Sequence, residues 1–375
     1  MNPLPGPPSD TGYRMPGEFE PHAGCWLLWP ARPSTWRGKA GPARAAFARV
    51  AAEIARFEPV TIGARPADLE AARLALPPAV RVTPLDSDDS WIRDTGPTVL
   101  RDGRGARLAV CWRFNGYGGL YAPHDLDQQV AARVAEVEGL PTTFADIVLE
   151  GGAIHSDGAG TLLTTEECLL HPTRNPGLSR SALEDRLRAL TGTHTIVWLG
   201  QGVVGDSDTN GHIDNLACFV EPGVVALAWE DDPADPQHVV SLDALRRLER
   251  ATDARGHAFE IIKLPMPRPV TVRPEDLADE PPIHRNPGQR LAASYANFYI
   301  ANGGVVVPTF DDPADARALD ILARAFPDRR VVGVSSREIL LGGGNIHCIT
   351  QQIPARRLLA KRQRQPARFL RPVRP

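Results

Sequence analysis

Five side chains able to do chemistry each sit beside a turn in this sequence: one thiol, one imidazole and three carboxylates. Cys348 lies in Leu340-Leu341-Gly342-Gly343-Gly344-Asn345-Ile346-His347-Cys348-Ile349-Thr350. The glycines before it permit a tight backbone and a close approach. A short apolar, β-branched stretch begins at the thiol, so the segment reads as a nucleophile presented at the rim of a sheet. A cysteine on a strand is more often an inert small hydrophobe, so the reading depends on partners elsewhere. His212 and Asp214 are two apart in Gly205-Asp206-Ser207-Asp208-Thr209-Asn210-Gly211-His212-Ile213-Asp214-Asn215, which leads into a strand expected at 216–220. On a strand, both side chains would share one face. Trp91 and Asp94 are interleaved with turn residues in Asp88-Asp89-Ser90-Trp91-Ile92-Arg93-Asp94-Thr95-Gly96-Pro97. Glu150 follows an apolar run and precedes two glycines. That setting buries part of its carboxylate, which then needs a partner.

A thiol with an imidazole points to nucleophilic catalysis. An amide hydrolase would need donors for an oxyanion, whereas this set is rich in carboxylates. Carboxylates suit a planar cation, and a guanidinium offers five N–H donors in a fork that matches them bidentately. The residues therefore suggest attack on the central carbon of a guanidinium.

These residues must be held by many short elements, because 33 glycines and 36 prolines are scattered along the chain. Apolar residues at helical spacing include Phe47, Val50, Ala51, Ile54 and Phe57, and also Leu319, Leu322 and Phe326 after an Asp311-Asp312-Pro313 start. Further helices are expected near 125–138, 179–191 and 240–252. Short β-rich runs are expected at 25–29, 60–63, 108–112, 161–165, 196–199, 216–220, 224–229, 261–264, 305–308 and 331–334. This alternation is too rich in strands for a simple Rossmann sheet. The segment 147–155 is echoed at 339–347, with six of nine positions identical. The echo reads as a structural repeat. Repeats around an axis would aim Glu150 and Cys348 at one central cavity. Nothing resembling a linker divides the chain.

Composition narrows the partners. The chain has 375 residues and a net charge of −3. Eight of its basic residues fall in 355–375, which leaves 34 basic against 45 acidic residues in the body. An acidic body steers cations toward the protein. The basic tail, interrupted by Pro366, Pro372 and Pro375, reads as a solvated extension and not as a nucleic-acid module. No apolar run is long enough to span a membrane, and the start of the chain lacks signal-peptide features. Five widely spaced cysteines argue against a disulfide framework and for a reducing cytoplasm. Neither CxxC nor HExxH occurs, so no strong metal motif is present.

At these same residues the chain resembles the agmatine deiminases of the guanidino-group-modifying superfamily, relatives of the peptidyl-arginine deiminases. The resemblance runs from Met15 to Pro354 through MPGEFEPH, WIRDTGP, FNGYGG, LEGG, TNGHIDN, LAASYANFYIANG and REILLGGGNIHCITQQ. It implies a five-bladed, pseudo-fivefold α/β propeller of ββαβ-type units, a single catalytic domain over 1–354 and an extension over 355–375. It also implies Cys348 as nucleophile, His212 as acid and base, and Glu150, Asp94 and Asp214 as guanidinium ligands. Trp91, Asp208, Thr209, Asn210 and Gly344 are the expected substrate-binding residues, with Asp208 at the ammonium end. The implied reaction converts agmatine to N-carbamoylputrescine and ammonia with no metal or organic cofactor. The expected partner is a small cationic guanidino compound, without nucleic acid or membrane, and a homo-oligomer is left open. Asn115-Gly116-Tyr117-Gly118-Gly119 departs from the family, which usually carries tryptophan at the tyrosine. Arginine or peptidyl-arginine deimination, amidino transfer and non-catalytic polyamine binding are the alternatives.

Overall fold

The computed structural model describes residues 6–278 and 284–356. Apart from Ala355 and Arg356, the basic extension lies outside the described residues.

The fold is mixed α/β and built from five small sheets. Each repeats one pattern: a first strand antiparallel to a central strand, then a helix, then a third strand parallel to the central one. The second sheet joins Thr98–Arg101, Arg107–Arg113 and Thr142–Val148, with helix Asp127–Val137 before the last. The third joins His155–Ser156, Thr161–Thr165 and Thr195–Leu199 with helix Arg180–Thr191. The fourth joins Ala217–Glu221, Val224–Trp229 and Glu260–Pro265 with helix Pro236–Arg250. The fifth joins Tyr299–Ile300, Gly304–Thr309 and Arg330–Ser335 with helix Ala314–Ala325. The first sheet takes its antiparallel strand from the far end of the chain. Gln351–Pro354 pairs with His22–Leu28, which runs parallel to Val60–Ala64 across helix Gly41–Ile54, and Val80–Pro84 extends the edge.

Local chemistry explains these elements. The central strands are apolar almost throughout, as in Val224–Trp229 and Gly304–Thr309, because both of their faces are covered. Helix Gly41–Ile54 buries Ala43, Ala46, Phe47, Val50, Ala51 and Ile54, a three-to-four-residue stripe against the first sheet. Helix Arg180–Thr191 starts where Ser179 accepts the Ala182 N–H, and ends at Gly192 in a left-handed conformation. All ten strands expected from β-rich runs are present. The strands not anticipated include four of the five antiparallel first strands, which are only two to four residues long, such as His155–Ser156 and Gln351–Pro354. No described helix is long and apolar enough to cross a membrane.

A buried carboxylate joins the first sheet to the fifth. Glu58 accepts hydrogen bonds from the Tyr299 hydroxyl at 2.6 Å and the Asn302 N–H at 2.7 Å, and lies 3.2 Å from His22 Nδ1. Removing it would leave several buried donors unmatched. Glu58→Ala should therefore cost about 3 kcal/mol, read as a lower urea midpoint at an unchanged slope. A loss below about 1 kcal/mol would show that the junction holds without this carboxylate.

Candidate active site

The segments that lead into the five antiparallel first strands carry the predicted chemistry. Asp94 lies in the one-turn helix Ile92–Thr95, before Thr98–Arg101. Glu150 caps the turn Gly151–Ala153, before His155–Ser156. His212 and Asp214 precede Ala217–Glu221, and Cys348 precedes Gln351–Pro354. Asn297, assigned no role from sequence, precedes Tyr299–Ile300. One recurring position therefore feeds one centre.

Two expectations about backbone are corrected. His212 and Asp214 are not on a strand: His212 caps the one-turn helix Ile213–Leu216, and the strand begins at Ala217. The Asp206 carboxylate holds this turn by accepting from the His212 N–H at 3.1 Å and from Asn215 Nδ2 at 3.2 Å. From this turn His212 reaches Asp94 and Glu150, while Asp214 reaches His347 and Cys348. Cys348 is not at an exposed sheet rim either. It occupies a turn, is 4% exposed, and faces a narrow cleft.

Trp91, Asp94, Tyr117, Asp208, Thr209, Gly344 and Cys348 all border that cleft. Trp91 is backed by Trp36, with ring centroids 5.0 Å apart. Behind this lining, three groups converge on Gly152. A Cβ added there would lie 2.7 Å from His212 Nδ1, 2.9 Å from Asp214 Oδ2 and 2.9 Å from Asp94 Oδ1. The Gly152 N–H also donates to Asp94 Oδ1 at 2.9 Å. The Cys348 sulfur is 3.7 Å from Asp214 Oδ2 and 3.3 Å from Asn297 Nδ2. Glu150, fully buried, accepts from Arg174 Nε at 2.7 Å, and its other oxygen is 3.8 Å from His212 Nε2.

The electrostatics follow from burial and neighbours. Burial pushes the Asp94 carboxyl up to about 6; His212 opposes the rise, while Asp214 and Glu150 add to it. Burial alone would lower the His212 pKa, but Asp94, with Cys168 and Glu150, raises it well above the ordinary imidazole value. Burial also opposes ionisation of Asp214 and Glu150. Hydrogen bonding to His347 lowers Asp214, and His212 with Arg174 lowers Glu150, so both stay charged. Burial, then the Asp214 and Asp94 carboxylates, hold the Cys348 thiol well above its usual range, so it rests protonated.

Other sequence expectations fare differently. Asp208 borders the cleft but is already ion-paired with Arg285 at 2.5 Å. Asn210 is not part of the lining; its Oδ1 accepts from Arg174 Nη1 at 2.8 Å. Asp88 and Asp89 are more than turn residues. Asp88 Oδ2 accepts the Leu126 N–H at 2.9 Å, and Asp89 accepts from Thr35 at 2.6 Å and Trp36 at 3.0 Å. A supporting layer went unassigned. His347 bridges Asp214 at 2.8 Å and Glu18 at 2.9 Å, and Glu18 also pairs with Arg93 at 2.9 Å. With a carboxylate at each ring nitrogen, His347 must carry both protons, and its pKa is raised accordingly. The internal echo held a hint of this layer: its two histidines, His155 and His347, lie 6.1 Å apart and both face Glu18. Arg174 carried no such signal.

The family model for Porphyromonas-type peptidyl-arginine deiminase matches residues 14–354. The agmatine deiminase of Pseudomonas aeruginosa (strain UCBPP-PA14) is 50% identical over 366 residues, covering 95% of this chain and 99% of the relative. The chain belongs to the agmatine deiminases of this family. The Medicago truncatula agmatine deiminase is 49% identical, covering 93% of this chain and 98% of that one. The solved structure of the Enterococcus faecalis agmatine deiminase superposes with a TM-score of 0.91 at 40% identity, covering 95% of this chain and 99% of that one.

Two outcomes are expected from this geometry. Gly152→Ala drives a methyl group between three functional groups, so kcat/KM should fall at least about 100-fold in a protein of unchanged circular dichroism. Near-normal activity would mean that the three groups do not act together. The second concerns pH. If Asp94 must be charged, kcat/KM falls as pH drops through about 6. Tyr117 Oη donates to Asp94 Oδ2 at 2.9 Å, and this hydrogen bond stabilises the carboxylate. Tyr117→Phe should therefore move the acid limb of the kcat/KM profile to higher pH. An unmoved limb would detach it from Asp94.

Proposed function

We propose that this chain hydrolyses agmatine to N-carbamoylputrescine and ammonia through a covalent intermediate on Cys348. The observation that carries the reading is the convergence of His212 and three buried carboxylates beside a thiol, with two of the carboxylate oxygens unmatched. Asp214 Oδ1 and Glu150 Oε2 are buried without a hydrogen-bond partner. A guanidinium supplies N–H donors and positive charge to such a place. Its family membership supports the choice of agmatine.

In this reading the guanidinium docks between Asp94 and Asp214, with Glu150 Oε2 toward its remaining N–H groups and Trp91 against its plane. The added positive charge offsets the carboxylates that hold the thiol protonated, so Cys348 ionises on binding. The thiolate attacks the central carbon, forming a C–S bond while the C=N electron pair moves to nitrogen. His212 gives its proton to the departing nitrogen, the C–N bond breaks and ammonia leaves. The amidino group stays on sulfur. His212, now neutral, takes a proton from water as the oxygen bonds to the same carbon. The C–S bond then breaks, releasing N-carbamoylputrescine and restoring the thiol. Asn297 Nδ2 is placed to donate to the sulfur at each stage.

We read the five sheets as blades of an α/β propeller spanning 1–354 with this cleft at its axis. Five sheets of one strand pattern, each fed by a loop to the centre, support that arrangement. Asp208 meets the substrate ammonium from within its ion pair with Arg285. Its attraction is thus weakened, and losing it would leave Arg285 unopposed at the mouth.

Three measurements test this reading. Cys348→Ser should lose essentially all release of ammonia from agmatine, and quenched turnover of the unaltered chain should show a mass adduct on Cys348; normal turnover in Cys348→Ser ends the proposal. Ammonia released from agmatine alone also separates hydrolysis from amidino transfer and from simple polyamine binding. Asp94→Asn and Asp214→Asn each set an amide donor against the guanidinium donors. Each should cost about 2–4 kcal/mol of transition-state binding, or about 30- to 1000-fold in kcat/KM; smaller losses at both would remove the carboxylates from substrate contact. Asp208→Asn should raise KM for agmatine and narrow its advantage over arginine. Equal kcat/KM for the two substrates in the unaltered chain would bring the arginine alternative forward.

A further inference from the structure

The reaction above leaves one buried cysteine beside its acid–base histidine without a role. Cys168 lies in the short helix Glu166–Leu169, where its own N–H donates to Thr165 Oγ1 at 3.3 Å. One carboxylate oxygen of Glu150, the Cys168 sulfur and one ring nitrogen of His212 lie within 4.8 Å of one another. All three residues are fully buried. Glu150 Oε2 and His212 Nε2 face each other at 3.8 Å, and neither has a hydrogen-bond partner. Arg174 grips the other Glu150 oxygen at 2.7 Å, which fixes the direction of the free one.

A thiolate, an imidazole and a carboxylate are the donors zinc selects, and three protein ligands with a fourth position open is a common arrangement for it. Zinc–ligand bonds of about 2.0–2.3 Å require donors somewhat closer together than they are here, a contraction of about 1 Å. A Cys168 thiolate and the Glu150 carboxylate together would give a bound cation two negative charges, against Arg174 on the Glu150 side.

We propose that Glu150, Cys168 and His212 form an inhibitory site for a thiophilic divalent cation of the zinc class. On binding, the Cys168 thiol gives up its proton, as does the His212 ring nitrogen facing Glu150. Both protons pass to water as the S–metal and N–metal bonds form, and nothing is oxidised. A bound cation withdraws His212 from proton transfer, so turnover stops without the nucleophile being touched. No local metal motif announces such a site, because its ligands stand far apart in sequence at 150, 168 and 212. The inhibitory consequence rests on the proposed role of His212, whereas occupancy of the site does not.

The test therefore reads binding separately from turnover. The full chain carrying Cys348→Ala, which cannot ligate through the nucleophile, is titrated with Co²⁺. About one equivalent should bind with a thiolate-to-cobalt charge-transfer band, and Zn²⁺ should displace it. Adding Cys168→Ala should abolish the band. In the chain with Cys348 intact, Zn²⁺ should inhibit ammonia release reversibly to EDTA, and Cys168→Ala should weaken that inhibition at least tenfold. Failure of Cys348→Ala to bind Co²⁺, or a band that survives loss of Cys168, overturns the proposal. Should the double variant not fold, X-ray absorption on Zn²⁺ bound to Cys348→Ala decides: one sulfur ligand supports the site, and none overturns it.

Discussion

Four carboxylates, those of Glu18, Asp94, Glu150 and Asp214, are buried together at the centre of this chain, and each must be matched there or not be charged at all. Arg93 and His347 answer Glu18; Arg174 answers Glu150; His347 answers Asp214; and His212 stands between Asp94 and Glu150. The arrangement is close to balanced at rest because the thiol stays neutral. It admits one more cation on condition that one proton leaves, and Cys348 is the group beside the carboxylates that can lose it. On the proposed mechanism, substrate binding and activation of the nucleophile thus become one electrostatic event.

The same requirement explains the supporting layer. His347 is adjacent in sequence to the nucleophile, yet it points away from the cleft and ties Asp214 to Glu18. Asn297 aligns its amide with the sulfur and also accepts the His347 N–H at 2.9 Å. Nucleophile, carboxylate and hydrogen-bond donor are therefore positioned by shared partners, so a change at any one of them is felt by the others.

Much of this was legible in the residues themselves. Cys348, His212, Asp94, Asp214 and Glu150 were set apart by glycine turns and by carboxylates too numerous for an amide hydrolase, and the structure gathers all five. The central strands and the connecting helices were legible because apolar burial gives them a period. The first strand of most sheets was not. Segments such as 155–156 and 351–354 are two to four residues long, too short for packing to leave a period in them. The strand assumed at His212 failed for a related reason: Asp206 competes for the backbone and bends it into a helical turn. Arg174 and Asn297 were invisible as partners because long-range pairing leaves no local signature.

The strand that closes the first sheet has a consequence for how the protein comes into being. Gln351–Pro354, just beyond the nucleophile, must return to pair with His22–Leu28, the first strand of the chain. Contacts between such distant segments are late and slow to form. During synthesis, the segments that carry the four carboxylates emerge well before Cys348 does. On the proposed mechanism, reactivity thus arrives only near completion: a prematurely terminated chain would carry the carboxylates but lack the sulfur assigned to act on what they hold.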